Sequence, residues 1–417
     1  VREGKPKHAR RDSYGALWNS GKGFDSRLLD ECLSRSAQAR VEPRDFAEGH
    51  LLTVPRNALT LLLRIVGLLM AAFAFYLMLG VIVGRTASHA AHDSLVSFLA
   101  LGDTGKKHRV FASLLEGQLA VSGDLAAEDH AHPVDALVML GDNFYMHGLR
   151  REEIVDRVAT NLVYPYCRFV QLDGSRSAEV SEACPVDKAF LPKRPIYAVL
   201  GNHDLGSPES AALQQDVVPE FVSNWSLRSD VAVVRELGQG VSLIMVNTES
   251  RPLGAKQRHE LARALEASEG PWRIIAGHRP MAIGKVGNAP EKFDGSLDFE
   301  AWVAGAIREA GVHVHLYLSG HHHSLQVIEG GGALGPDLHV VVGSGARLRD
   351  ILGDHPKRVF EAPELGFGRV DLVAGDGGES LEVSVFQSPV IPLLRFGGPK
   401  RVGQWSLTLQ GDLIRFE

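Results

Sequence analysis

Five short apolar runs in this chain each end in a glycine followed directly by an oxygen or nitrogen donor. The endings are Leu101-Gly102-Asp103, Leu140-Gly141-Asp142, Leu200-Gly201-Asn202, Ala276-Gly277-His278 and Ser319-Gly320-His321, with Tyr145, His203 and His323 close behind. The runs themselves, Leu95–Leu101, Ala136–Leu140, Ile196–Leu200, Arg273–Ala276 and His313–Leu318, have the length of buried strands. In α/β sheets, sites form beyond the carboxyl ends of strands, where several loops converge. A glycine before each donor permits a tight turn and a close approach of backbone. The pattern therefore predicts an α/β fold whose strand ends gather seven metal-ligand-type side chains: Asp103, Asp142, Tyr145, Asn202, His278, His321 and His323.

The donor types narrow the chemistry. Carboxylate, amide oxygen and imidazole suit hard or borderline cations, and one carboxylate can bridge two of them. Tyr145 lies three residues beyond Asp142, a spacing at which one turn aims both side chains the same way. A coordinated phenol must lose its proton, and free tyrosine titrates only at about pH 10. That calls for a strongly Lewis-acidic metal, and ferric iron fits. His321 and His323 are two apart, so an extended backbone points both to one side, each to a different metal, with His322 turned away.

At 417 residues the chain can bury one large core or two smaller ones. A net charge of -6 and the lack of a basic stripe argue against nucleic acid as a partner. The uncharged run Ile65–Gly84 is about twenty residues long, enough for one helix to cross a bilayer. Arg35, Arg40, Arg44, Arg56 and Arg64 precede it, whereas after Arg85 no Lys or Arg occurs until Lys106. That asymmetry puts the N-terminus in the cytoplasm and the donor-bearing region on the periplasmic or extracellular side. The alternative is a cleaved secretory signal, with Ser88-His89-Ala90 as the cleavage site and translation starting near Val54. Either way the region beyond is exported. Cys167 and Cys184 fall within it, and an oxidising compartment permits them to pair; two unrelated thiols are the other reading.

The organisation expected is a polar, mobile, cytoplasmic tail over 1–57, a transmembrane helix or signal anchor over 58–85, and a globular domain over 94–417. Helices are expected at Ala112–Leu119, Glu152–Leu162, Ala255–Ser268 and Leu297–Ala310, with Tyr164–Arg194 an inserted loop. Further strands are expected at Val241–Val246, Leu338–Val342, Arg369–Val373, Leu381–Phe386 and Gln404–Leu409. His313 and His315 alternate with apolar neighbours and read as structural.

Taken together, the motifs resemble the calcineurin-like metallophosphoesterase superfamily, and within it the purple acid phosphatase branch. The wider superfamily has a histidine two residues after the first Asp. Here that position is Gly105, and Tyr145 follows Asp142 instead. Gly141-Asp142-Asn143-Phe144-Tyr145 and the stretch Tyr317–Gln326 look most like the small, tartrate-resistant mammalian type. The resemblance covers about Ser94 to Gly345.

It implies two stacked mixed β-sheets flanked by helices, preceded here by the membrane helix. It implies that Asp103, Tyr145 and His323 hold Fe(III), that Asn202, His278 and His321 hold a divalent Fe, Zn or Mn, and that Asp142 bridges. His203 matches the histidine that contacts the phosphoryl or leaving oxygen, with Asn202 beside it at the substrate. Asp204 either orients His203 or forms an Asx-turn, and His147 faces either substrate or solvent. The implied activity is hydrolysis of phosphate monoesters, on a small molecule or a phosphoprotein, by a metal-bound hydroxide attacking phosphorus. The alternatives are a metallophosphodiesterase or pyrophosphatase with Mn or Zn, and, in another class, a non-catalytic membrane-tethered binding domain. One departure stands out. The small mammalian type carries another site histidine shortly after the one matching His278, where this chain has Ile283-Gly284-Lys285-Val286-Gly287 and Lys285 is the polar residue.

Overall fold

The computed structural model describes residues 64–74, 94–106, 117–184, 186, 191–250, 253–281, 297–330, 335–351, 356–375, 377–389 and 398–416. The chain divides into two units, Val1–Met70 and Ala71–Glu417. Of the run expected to span a bilayer, residues 64–74 are helical, with Ile65, Leu68, Leu69, Met70 and Phe73 exposed. No helix among the described residues is long and apolar enough to cross a membrane. The rest of that run, the polar tail and the segment with Lys285 lie outside the described residues.

The second unit holds two mixed sheets. In the first, β1 (Ser94–Leu101), β2 (Ala136–Met139), β3 (Ile196–Ala198) and β4 (Trp225–Leu227) run parallel. Four antiparallel strands extend it from β1: β12 (Gly366–Gly375), β13 (Gly378–Gln387), β14 (Lys400–Thr408) and β15 (Leu413–Phe416). In the second, β6 (Val241–Val246), β7 (Trp272–Gly277), β8 (Leu316–Ser319) and β10 (Leu338–Val342) are parallel. β5 (Ala232–Gly238), β9 (Leu325–Glu329) and β11 (Arg358–Ala362) complete it, in the order β11-β9-β10-β8-β7-β6-β5.

The central strands are apolar along their whole length because both faces are buried. On β6, Val241, Leu243 and Met245 join one core with Phe98 of β1, Val340 of β10 and Val383 of β13. The intervening Ile244 and Val246 join another with helices α2 (Ala255–Glu266) and α3 (Leu297–Ala310). These helices bury Leu261, Ala262, Leu265 and Phe299, Val303, Ala306, Ile307, the three- and four-residue spacing of one helical face. α3 stops at Gly311, whose left-handed backbone (φ 64°) lets its N–H cap Ile307 O at 3.0 Å. The outer face of the first sheet is covered by α1 (Gly117–Ala131) and residues 154–170.

Two expectations are met only in part. The helix expected at Ala112–Leu119 is helical over its described part, which is the start of α1; residues 107–116 lie outside the described set, and α1 carries mixed Gly, Ser and Asp that blur its pattern. The strand expected at His313–Leu318 is Leu316–Ser319, with both histidines before it. The helix over Glu152–Leu162 is continuous but changes pitch, from a 3-10 turn to α to π. The Tyr164–Arg194 insertion is built of turns, yet it buries Tyr166, Phe169, Val170 and Val180 in the core. Cys167 and Cys184 are bonded within it, their Cα atoms 5.2 Å apart.

Candidate metal centre

The loops leaving β1, β2 and β3 in one sheet and β7 and β8 in the other meet at one end of the sandwich. Backbone bonds join them: Asp103 N–H donates to Gly141 O (2.9 Å), Gly102 N–H to Val342 O (2.8 Å) and Gly320 N–H to His278 O (3.0 Å). Asp103, Asp142 and His321 take left-handed backbone, with φ of 60°, 54° and 65°. Of the five glycines before donors, only Gly141 does so. The glycines therefore serve close approach rather than turning. A Cβ on Gly201 would lie 2.3 Å from both the amide nitrogen and Oδ1 of Asp142.

Two groups of donor atoms result. In one, the Tyr145 hydroxyl lies 2.7 Å from Asp103 Oδ1 and 3.0 Å from His323 Nε2, which are 3.1 Å from each other. Donors about 3 Å apart are adjacent ligands of one cation with bonds of about 2.0–2.2 Å. In the other, His278 Nε2 lies 3.2 Å from Asn202 Oδ1, 3.1 Å from His321 Nδ1 and 3.5 Å from Asp142 Oδ1. Asp103, Asp142 and His278 bring donor atoms within 4.8 Å of one another, which links the groups. His278 Nδ1–H donates to Leu140 O at 2.8 Å, which leaves the Nε2 lone pair for a cation. The donor set fits two metal ions. All seven expected ligands are therefore together, and all but Asn202 are buried.

The reason expected for His321 and His323 does not hold. They sit in a turn with His321 left-handed, not on an extended strand, and each reaches a different donor group. His322 between them is partly buried, its ring 5.6 Å from that of His321.

His203 is tied at both ends: its N–H donates to Asp142 Oδ1 and its Nδ1–H to Met146 O, each at 2.8 Å. Its ring is 4.5 Å from that of Tyr145. Asp204 does not orient it. The Asp204 carboxylate is buried and accepts from the backbone N–H of Gly201 (2.9 Å), Asn143 (3.1 Å) and Phe144 (3.0 Å) and from Gln214 Nε2 (3.1 Å). It clamps the loop bearing Asp142 to the loop bearing Asn202. His147 is exposed on the turn after Tyr145.

Gly105 explains the exchange of a histidine for Tyr145. A Cβ there would lie 2.3 Å from the carbonyl carbon of Asn143, so no side chain fits. Electrostatics agree with a cation site. Burial alone would raise Asp103, but the charges of His323, His278 and His321 outweigh it and hold the carboxyl below its ordinary range. Burial, then the charges of Asp103 and Asp142, push the Tyr145 phenol far above its ordinary value. Burial and the charge of Asp142 raise Asp204 to about 6 against its backbone donors.

Other contributors carry no local signal. Arg157 Nη2 bonds Tyr145 O and Asn161 Nδ2 bonds Gly105 O, one helical turn apart. Arg279 Nε pairs with Glu249 at 2.6 Å, both buried, and Tyr317 donates to Arg279 O at 2.8 Å, which fixes the residue after His278. Arg347 lies with Cζ 5.2 Å from the centre of the Tyr145 ring. A separate group, His313, His315 and Asp337, has ligand-like spacing. However, His315 Nδ1 accepts from Arg273 N–H (3.3 Å) and its Nε2–H donates to Leu409 O (3.1 Å), so its role is structural.

Several solved structures are similar to this chain. GAP50, the anchor in the inner membrane complex of Plasmodium, shares 17% identity at a TM-score of 0.49, over 73% of this chain and 95% of that one. Purple acid phosphatase PPD1 from yellow lupin seeds shares 16% at 0.48, over 70% of this chain and 51% of that one, about half the lupin enzyme's length. PhoD shares 14% at 0.49, over 79% and 73%. No curated protein sequence matches the chain. The family model for calcineurin-like phosphoesterases matches residues 96–325, which include all seven donors. By that match, over more than half of its length, the chain belongs to the calcineurin-like phosphoesterase family.

Proposed function

We propose that this protein is a dinuclear metal-dependent phosphatase of the purple acid phosphatase type, acting on phosphate monoesters. The observation that carries the reading is the convergence of the Tyr145 phenol with Asp103 and His323, beside a Gly105 that cannot bear a side chain. Asp103, Tyr145 and His323 would hold Fe(III); Asn202, His278 and His321 would hold a divalent Fe, Zn or Mn; Asp142 lies between. When bound, the two cations supply Lewis acidity toward a phosphoryl oxygen and toward the attacking water. The chain does the rest. Buried ligands keep bulk water off the donor side of the site. His203, with Nδ1 fixed on Met146 O, keeps Nε2 as the atom that holds or releases a proton at the leaving oxygen.

We read the domain as exported and anchored through the helix over 58–85. The arginine asymmetry and the bonded Cys167–Cys184 pair support this. A reporter fused after Glu417 should be active outside the cytoplasm, and cytoplasmic activity would overturn it.

The function is tested by metal analysis and a visible spectrum of the purified protein, with a phosphomonoester and a phosphodiester assayed side by side. Iron, visible colour and monoester turnover are expected. A colourless protein with Mn or Zn and a preference for diesters would move it to the diesterase reading, and a protein that binds no metal to the non-catalytic one.

A further inference from the structure

Residues 343–349, which follow β10, are pressed against the first donor group. Gly345 N–H donates to Gly102 O at 3.0 Å and Arg349 N–H to His323 O at 2.9 Å. A Cβ on Gly343 would lie 2.8 Å from Asp103 Oδ2. Between these two anchors stands Arg347, partly buried, its guanidinium over the ring of Tyr145 at 5.2 Å. Its backbone is thus fixed relative to two of the donors that surround the ring.

The most deeply buried arginines of this fold have carboxylates: Arg279 has Glu249, Arg369 has Asp371 and Glu128, and Arg194 shares Asp129 with the less buried Arg168. Arg347 makes no ion pair or hydrogen bond among the described residues; its contact is the aromatic face. A guanidinium stacked on a ring keeps its planar fork of N–H donors open at the edge, and that fork matches two oxygens of a phosphate. Strong cations without a partner at the mouth of an anion site are expected to find one in the ligand.

We propose that Arg347 is a substrate-binding residue that pairs with the phosphoryl oxygens of a dianionic phosphate monoester and so sets a preference for monoesters over diesters. This rests on the phosphoesterase reading above. A monoester offers three terminal oxygens and two negative charges. A diester has one charge fewer, and its second ester group takes the place of an oxygen, so the fork loses both a partner atom and attraction.

The test uses the full chain, metal-loaded, as wild type, Arg347→Ala and Arg347→Lys. Turnover of para-nitrophenyl phosphate and bis(para-nitrophenyl) phosphate is measured, and binding of inorganic phosphate is read by calorimetry. For Arg347→Ala, monoester kcat/KM should fall about 10- to 100-fold, mainly through KM, the range for loss of a charge-assisted hydrogen-bonded pair. Diester kcat/KM should fall by about threefold or less, since the fork has little hold there. Phosphate affinity should fall with the monoester. Arg347→Lys, which keeps the charge without the fork, should recover part of both. If Arg347→Ala does not fold, Arg347→Gln gives the same comparison with the stem retained.

Unchanged phosphate affinity in the variant, or equal losses for the two esters, overturns the proposal. A shift of the visible band with phosphate affinity intact also overturns it, because it would assign Arg347 to the tyrosine alone. A wild type that hydrolyses neither ester yet binds phosphate through Arg347 would sink the function and the ester preference and leave only the phosphate contact. A wild type active on the monoester whose Arg347→Ala variant binds phosphate equally well would do the reverse.

Discussion

The hydroxyl of Tyr145 donates to Asp103 Oδ1 at 2.7 Å across 42 positions of sequence. The phenol is buried, and its proton is held by burial and by the negative charges of Asp103 and Asp142. In the proposed reading a strongly Lewis-acidic cation would take the place of that proton, and a tyrosinate bound to ferric iron absorbs visible light by charge transfer. The oxidised, iron-loaded protein should therefore be pink to purple. Tyr145→Phe should lose the band and stay folded within about 1 kcal/mol, the worth of one hydrogen bond. Absorption spectra and denaturant melts of both proteins check this; a colourless iron-loaded wild type would remove Tyr145 from the ligands.

The turn that carries His321, His322 and His323 gives a sharper contrast. His323→Ala and His278→Ala each remove a donor from a different group. Each should lose one equivalent of metal and about a thousandfold or more in kcat if, as proposed, two cations act on one phosphoryl group. His322→Ala should stay within about threefold of wild type, as it lies outside both donor groups. Tolerance of His323→Ala with loss at His322 would show that the turn has been read in the wrong register.

Gly105 should resist every side chain. Its missing Cβ would lie 2.3 Å from Asn143 C and 2.4 Å from Phe144 N. Gly105→Ala should cost about 1–3 kcal/mol by overpacking, and Gly105→His more. Denaturant midpoints measure it. A neutral Gly105→His that also rescued Tyr145→Phe would mean that this loop can adopt the histidine-bearing arrangement after all.

Away from the centre, His315 should make stability depend on pH. Burial lowers it from 6.5 to about 4, so the folded chain keeps it neutral where the unfolded chain protonates it. Between those values the unfolded state binds more protons, and stability falls as pH falls from 6.5 toward 4. The loss from pH 7 to pH 5 is about 2 kcal/mol from this residue. Urea unfolding at both values should show it, and His315→Gln should shrink the difference. An unchanged difference in that variant would assign the effect to other groups.

The donor residues were legible because each follows an apolar strand and a glycine, so local order along the chain is also order in space. Strand ends at Asp103, Asp142, Asn202 and His278 needed no knowledge of pairing. The strands missed were of two kinds. β4 is three residues long, and β5, β11 and β15 are partly exposed at sheet edges, so none has a burial pattern to read. β9 follows the His321 turn so closely that its apolar residues passed as part of that motif. Asp204, Arg157, Asn161 and Arg347 were misread or unseen for another reason. What they do is fixed by partners far off in sequence, such as Asn143 for Asp204 and Gly105 for Asn161. Spacing along the chain carries no trace of such contacts.

Three of the donors hold backbone angles that selection for durability alone would give to glycine. Asp103, Asp142 and His321 each cost on the order of 1 kcal/mol in the left-handed region, although Asp tolerates it better than most. Glycine there would relax the chain and delete the ligand. A thermally hardened but inert variant is thus one residue substitution away at each of the three positions, and screens that reward heat resistance without assaying turnover should drift toward it.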